Sequence, residues 1–192
     1  MINSLKDCPT SEQLEGVVRK NRRRRDYFHI LKNTVFSLVV AAAVAVIISV
    51  LLFPVLRITG KSMTPSLMPD ELVVCRRKSD YKRGDIIAFY FNNKILVKRV
   101  VALSGDVVEI KDDGTLNVNG YDVDEPYVSE KALGECDIEM PYTVPEQKVF
   151  VMGDDRSVSI DSRSEKVGCV SEEEVVGKVI FRLWPFKKIG KI

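Results

Sequence analysis

Hydrophobic positions along the 192-residue chain fall into two regimes. The first is one unbroken block. From Asn33 to Leu56 no residue is charged, and Val35–Phe53 is Val, Ala, Leu, Ile and Phe interrupted only by serines. As a helix at 1.5 Å per residue, those 24 positions span roughly 36 Å, enough to cross a hydrocarbon core of about 30 Å. The second regime is a series of short runs rich in β-branched and aromatic residues: Glu71–Arg76, Asp85–Phe91, Ile95–Val101, Val107–Lys111, Leu116–Val118, Val149–Met152 and Lys178–Leu183. Turn signals such as Arg83-Gly84, Asp113-Gly114 and Asn119-Gly120 separate them, which is the signature of strands joined by hairpins. A short helical turn is expected around Ser171–Val175. The stretch from Tyr121 to Glu146 holds three prolines and many acids and reads as an excursion from the main sheets.

The pattern predicts a mainly β chain: a basic tail over 1–33, one membrane-spanning helix over 34–56, and an antiparallel, barrel-like or sandwich-like domain over 57–192. The excursion occupies about 112–146. Charge sets the orientation. Net charge is only +2, but seven Lys and Arg residues (Arg19, Lys20, Arg22–Arg25 and Lys32) precede the span, against Arg57 and Lys61 just after it. By the positive-inside rule the N-terminus stays cytoplasmic and everything from Arg57 onward lies outside, in a single-pass cell-membrane protein. The apolar block exceeds the 7–15 residues of a cleavable signal and has its small residues, Ala41–Ala45, in mid-run, so an uncleaved anchor is expected. No basic stripe runs through the rest of the chain, which excludes nucleic acid as the main partner. Cys8, Cys75, Cys136 and Cys169 show no metal-ligand spacing, so no metal and no cofactor are expected; the last three read as buried or free thiols.

Candidate chemistry begins at Thr59-Gly60-Lys61-Ser62-Met63-Thr64-Pro65, just beyond the span. Alone it reads as a juxtamembrane linker. A nucleophilic serine needs a base, most often histidine, but the only histidine, His29, lies on the other side of the expected membrane. The base must then be a lysine or a carboxylate. A lysine serves only where burial lowers its pKa. On the strand around Ile95–Val101 the side-chain period of two sets Lys98 beside Leu96 and Val100, with Arg99 on the opposite face. Other exterior lysines, Lys78 and Lys148 among them, fall in turns or at strand ends. The alternative for Lys98 is a snorkelling side chain at a strand edge. A third stretch, Met152–Arg163, crowds hydroxyls, carboxylates and arginines into one loop. There Asp154 and Asp161 are placed to accept bidentate bonds from Arg99, Arg156 or Arg163, and Ser159 to bond a lysine nitrogen.

Four segments, Gly60–Leu67, Arg83–Phe89, Val97–Asp106 and Met152–Arg163, together resemble the bacterial type I signal peptidases, in that family's order and after one N-terminal span. The layout is similar to the short, single-span form of Gram-positive bacteria. The resemblance implies a signal-peptidase-like antiparallel sheet or partial barrel, and a Ser/Lys endopeptidase that removes signal peptides from exported preproteins through an acyl-enzyme. By position it implies Ser62 as nucleophile, Lys98 as general base and Met63 as a wall of the substrate cleft. Ser159 would orient Lys98, Arg99 would pair with Asp154, and Asp161 would brace the site with Arg163. Three departures stand out: Gly60 where some relatives carry an oxyanion-binding hydroxyl, which Thr59 would have to replace; Asp155 in place of Asn, offset by Arg156; and Ser66 and Ser104 in place of Thr and Pro. The partners implied are preprotein signal peptides and the lipid bilayer. Phe181, Trp184 and Phe186, with nearby lysines, read either as headgroup contacts or as ordinary strand packing. The alternatives are a related Ser/Lys processing peptidase with a narrow substrate set, as in a pilin pathway, and a non-enzymatic membrane-anchored β binding domain.

Overall fold

The computed structural model describes residues 11–77 and 80–192. Residues 1–10 of the expected tail, Cys8 included, and Lys78 lie outside the described residues, as do the side chains of Lys20 and Arg22–Arg25. The chain forms two compact units, 1–49 and 50–192.

The first unit is a single helix, α1 (Ser11–Leu52), which continues past the end of its own unit by one turn. Within it, Tyr27–Leu52 is long and apolar enough to cross a membrane, and among the described residues its apolar window holds no buried position. An exposed helix with so long an apolar stretch is compatible with lipid as its surroundings. The span expected over 34–56 is thus shifted: it takes in Tyr27–Lys32, with one lysine, and stops at Leu52, because Val55 and Leu56 belong to the first strand of the next unit.

The second unit is almost wholly β. Its strands are β1 (Val55–Arg57), β2 (Leu72–Arg76), β3 (Ile86–Phe91), β4 (Lys94–Ala102), β5 (Val107–Ile110) and β6 (Leu116–Val118). They continue with β7 (Tyr121–Asp122), β8 (Tyr142–Thr143), β9 (Lys148–Met152), β10 (Val170–Ser171), β11 (Val175–Trp184) and β12 (Gly190–Lys191). The main sheet runs β1-β2-β11-β3-β4-β9-β10, with β12 added to β11, and a smaller sheet runs β7-β6-β5-β8. Every pairing is antiparallel, as expected. The short turn near Ser171 is a 3-10 turn over Glu172–Glu174, started by a reciprocal cap in which Ser171 and Glu174 bond each other's backbone N–H.

The core explains the composition of the strands. Along β3, Ile86 and Ala88 face one apolar cluster with Ile58, Met63 and Val73, while Ile87 and Phe89 face a second with Val100 and Val151. A strand covered on both faces reads as a continuous apolar run, which is why Ile86–Phe89 shows no alternation. A third cluster, around Phe150, Leu116 and Val108, joins the small sheet to the main one. The bend that allows this falls in β4, where the pairing with β9 shifts register between Val100 and Ala102. Phe150 is fully buried and its ring lies 5.9 Å from that of Tyr142. Replacing it by alanine should destabilise the β unit by about 3–5 kcal/mol, read as a lower midpoint in urea unfolding.

Candidate active site

Between β1 and β2 the chain makes the turn that carries Ser62. Its neighbour Met63 is buried in the first core cluster, and Leu67 N donates to Met63 O at 2.8 Å, so the turn is anchored from below while Ser62 stays half-buried. Two arginines converge on Ser66 within it. Arg99 Nη2 donates to the Ser66 hydroxyl at 3.0 Å and Arg182 Nη2 to its carbonyl at 2.6 Å. Arg182 Nε also lies 2.9 Å from Glu71 but out of line for a hydrogen bond, so that contact is electrostatic. On the other side, Asp155 N donates to the Ser62 carbonyl at 3.0 Å.

Ser62 and Lys98 line one cavity of about 120 Å³, with Arg57–Gly60 and Met63 on one wall and Ile95–Val97 on the other. The sheet therefore coils until its first strand and β4 frame the same space. Lys98 is 3 % exposed. Burial pushes its amine down from an ordinary 10.5 to about 8; Asp161 and Asp154 pull upward and Arg163 pulls down, all more weakly than burial. Its nitrogen donates to Ser159 Oγ at 2.7 Å, and Ser159 in turn bonds the Asp161 carboxylate. The snorkelling alternative for Lys98 fails on this burial. Arg99 turns away as the strand period requires, pairing with both oxygens of Asp154 (2.8 and 2.6 Å) and donating to Gly84 O at 2.6 Å.

The loop after β9 is built around Arg163, which is fully buried. It holds Asp161 through both oxygens (2.8 and 2.9 Å) and donates to the carbonyls of Leu133, Arg156 and Ser159. Burial alone would raise Asp161; the bonds and charge of Arg163, with Ser159 and Gly153 N, outweigh it and hold the carboxyl below its usual range. Gly153 is required by space: an added Cβ would stand 2.3 Å from Ser159 Oγ and 2.5 Å from Ser62 O.

The structure thus gathers Ser62, Met63, Lys98, Ser159, Arg99, Asp154, Asp161 and Arg163 at one place. Gly60 and Thr59 line the cavity, and a Cβ at Gly60 would meet open space. One expectation is overturned. Arg156 does not offset Asp155; it is buried and pairs with Glu125, while Asp155 accepts from the Ser157 hydroxyl at 2.8 Å. Glu125 was missed because it lies 31 residues from its partner, among exposed acids. Cys75, Cys136 and Cys169 are free thiols, and burial raises Cys75 to about 11. Among the described residues no group of three or more His, Cys, Asp or Glu is placed to hold a metal ion.

Residues 31–184 match the family described as signal peptidase, peptidase S26. The chain belongs to that family and is a serine endopeptidase. It is 38 % identical over 177 residues to a signal peptidase I of Bacillus licheniformis, covering 83 % of this chain and 94 % of that one. It is 34 % identical over 178 residues to signal peptidase IB of Staphylococcus aureus, covering 82 % and 92 %. A solved signal peptidase I from Enterococcus faecalis V583 matches 52 % of this chain and 97 % of its own at 34 % identity, with a TM-score of 0.43. Membership sets aside the non-enzymatic binding domain.

The depressed amine has a thermodynamic signature. Below about pH 8 Lys98 is protonated in both folded and unfolded chains, and its burial is a full penalty. Between about 8 and 10.5 only the unfolded chain binds the extra proton, so folding stability rises with pH across that window. Lys98→Met should be more stable than wild type at pH 7 by roughly 3 kcal/mol. In urea titrations across the pH range, that advantage should shrink as pH climbs through the same window.

Proposed function

We propose that Ser62 is the nucleophile and Lys98 the general base of an enzyme that cleaves signal peptides from exported preproteins. The observation that carries this reading is the burial of Lys98 in the wall of the cavity that Ser62 lines, with its nitrogen held by Ser159. A lysine titrating near 8 is partly neutral at physiological pH and can accept a proton. Neutral Lys98 Nζ takes the proton from Ser62 Oγ as the oxygen attacks the scissile carbonyl carbon. The tetrahedral intermediate collapses, the C–N bond breaks, and the Lys98 ammonium returns the proton to the departing amine of the mature protein. Water, deprotonated by the same lysine, then attacks the ester; the acyl C–O bond to Ser62 breaks, Ser62 Oγ takes the proton from the Lys98 ammonium, and the signal peptide leaves with a new carboxyl group. The oxyanion falls to the Ser62 N–H, with Thr59 as the neighbouring hydroxyl in place of the one Gly60 lacks.

Substrate geometry follows from the sheet. β4 pairs with β3 from Lys94 to Arg99 but meets β9 only from Arg99 onward, so Lys94–Lys98 keeps one free edge beside the cavity. β1 ends the sheet and also has a free edge. An extended peptide between them gains main-chain bonds as an added strand. A cavity of about 120 Å³ favours small side chains, which suits cleavage sites of the A-x-A kind. The helix over Tyr27–Leu52 anchors the enzyme with its N-terminus in the cytoplasm and its β unit outside. Trp184 and Phe186, exposed and in edge contact at 4.7 Å, lie at the headgroups with Lys187 and Lys188, whereas Phe181 is partly packed.

Two measurements test this. With detergent-solubilised protein and a preprotein substrate, Ser62→Ala and Lys98→Ala should each lose cleavage by at least about a thousandfold; unimpaired turnover by either ends the dyad. The wild-type pH profile of kcat/KM should rise through an apparent pKa near 8, and a limb that begins only near 10.5 would contradict a buried base.

A further inference from the structure

The excursion between β6 and β8 has no part in the chemistry above, yet it sends one carboxylate into the wall behind the site. Glu125 is 6 % exposed. One of its oxygens accepts from Arg156 Nη2 and also from the Tyr127 hydroxyl at 2.9 Å. From that oxygen two arms lead to the dyad.

The first runs through Arg156. Its Nε donates to Gly153 O at 3.0 Å, and its own carbonyl accepts from Arg163 at 3.1 Å. The Gly153 backbone lies against both Ser159 and Ser62, since a Cβ there would stand 2.3 Å from Ser159 Oγ and 2.5 Å from Ser62 O. The second arm runs through Tyr127, whose ring lies under the Arg99 guanidinium, 3.9 Å from carbon to centroid. Arg99 is the strand neighbour of Lys98, and it fixes both Asp154 and Ser66. A buried guanidinium cannot shed its proton and needs a counter-charge. Asp154 is committed to Arg99 and Asp161 to Arg163, so Glu125 supplies that charge for Arg156.

We infer that Glu125 is a positioning residue for the peptidase reaction: through Arg156 and Tyr127 it holds the Gly153–Ser159 loop and Arg99 so that Ser62 and Lys98 stay in reacting register. The inference rests on the Ser62/Lys98 reading. A residue of this kind touches no substrate, so its loss lowers kcat and leaves KM in place.

The test uses the full detergent-solubilised chain and a fluorogenic peptide bearing an Ala-x-Ala cleavage site. Glu125→Gln should lower kcat by about tenfold or more, with KM within about twofold of wild type; Glu125→Asp should recover part of the loss. The double variant Glu125→Leu/Arg156→Met removes both charges and leaves neither orphaned. Its thermal midpoint should return toward wild type while kcat stays about tenfold down. Recovery of kcat together with the midpoint would reduce Glu125 to a structural partner and overturn the inference, as would a wild-type kcat in Glu125→Gln. Should neither charge variant fold, Tyr127→Leu at its half-buried position reads the other arm, and a wild-type kcat there also overturns it. Ser62→Ala separates the two levels. Cleavage retained by that variant fells the dyad itself; cleavage lost in it but unchanged in the Glu125 and Tyr127 variants fells only the positioning role.

Discussion

Three buried arginines brace the strand and the loop that hold the site, and each is matched by one carboxylate: Arg99 by Asp154, Arg156 by Glu125, Arg163 by Asp161. The match matters more than any single pair. An unmatched carboxylate near Lys98 would hold the amine charged; an unmatched guanidinium would not stay buried. With each carboxylate held by an arginine, desolvation outweighs the pulls of Asp161 and Asp154 and drives Lys98 toward its neutral form. The strand, the loop after β9 and the excursion each contribute members of these pairs, so the chemistry of one nitrogen depends on three distant stretches of chain.

Those pairs also explain the shape of the β unit. Arg99 reaches from the middle of β4 to the turn after β1 through Ser66, and Arg182 reaches the same residue from β11. The turn that carries Ser62 is thereby tied to two strands of the main sheet. Ser66 stands where the family resemblance expects threonine, and its hydroxyl and carbonyl both serve as acceptors. The hydroxyl contact needs only an oxygen on Cβ, which either residue supplies.

Much of this was legible in the sequence because the signals were local. Runs such as Ile86–Phe91 and Leu116–Val118 carry their own β propensity, and the period of two separates Lys98 from Arg99 without reference to any partner. Asp161 was legible as an arginine acceptor because Arg163 follows two residues later in the same loop, whereas the pairing of Asp154 with Arg99, 55 residues away, came from the family resemblance. What escaped was set by tertiary contact. β1, β7, β8 and β12 are two or three residues long and exist only because a neighbouring strand pairs with them. Glu125 looks like one more acid of a polar excursion until the fold sets it against Arg156, and Tyr127 likewise until its ring meets Arg99.

The open edge of β4 has another side. A row of unpaired N–H and C=O groups accepts any extended chain, including a second copy of the enzyme. The free stretch Lys94–Lys98 is short and begins with an exposed lysine, and its far end is closed off by β9 at Arg99. A flat partner strand long enough to aggregate would have to continue past that point, where the register shift after Val100 bends the strand away. The same irregularity that shapes the β unit therefore limits self-association, leaving an edge long enough for a few residues of a passing peptide and too short for a fibril.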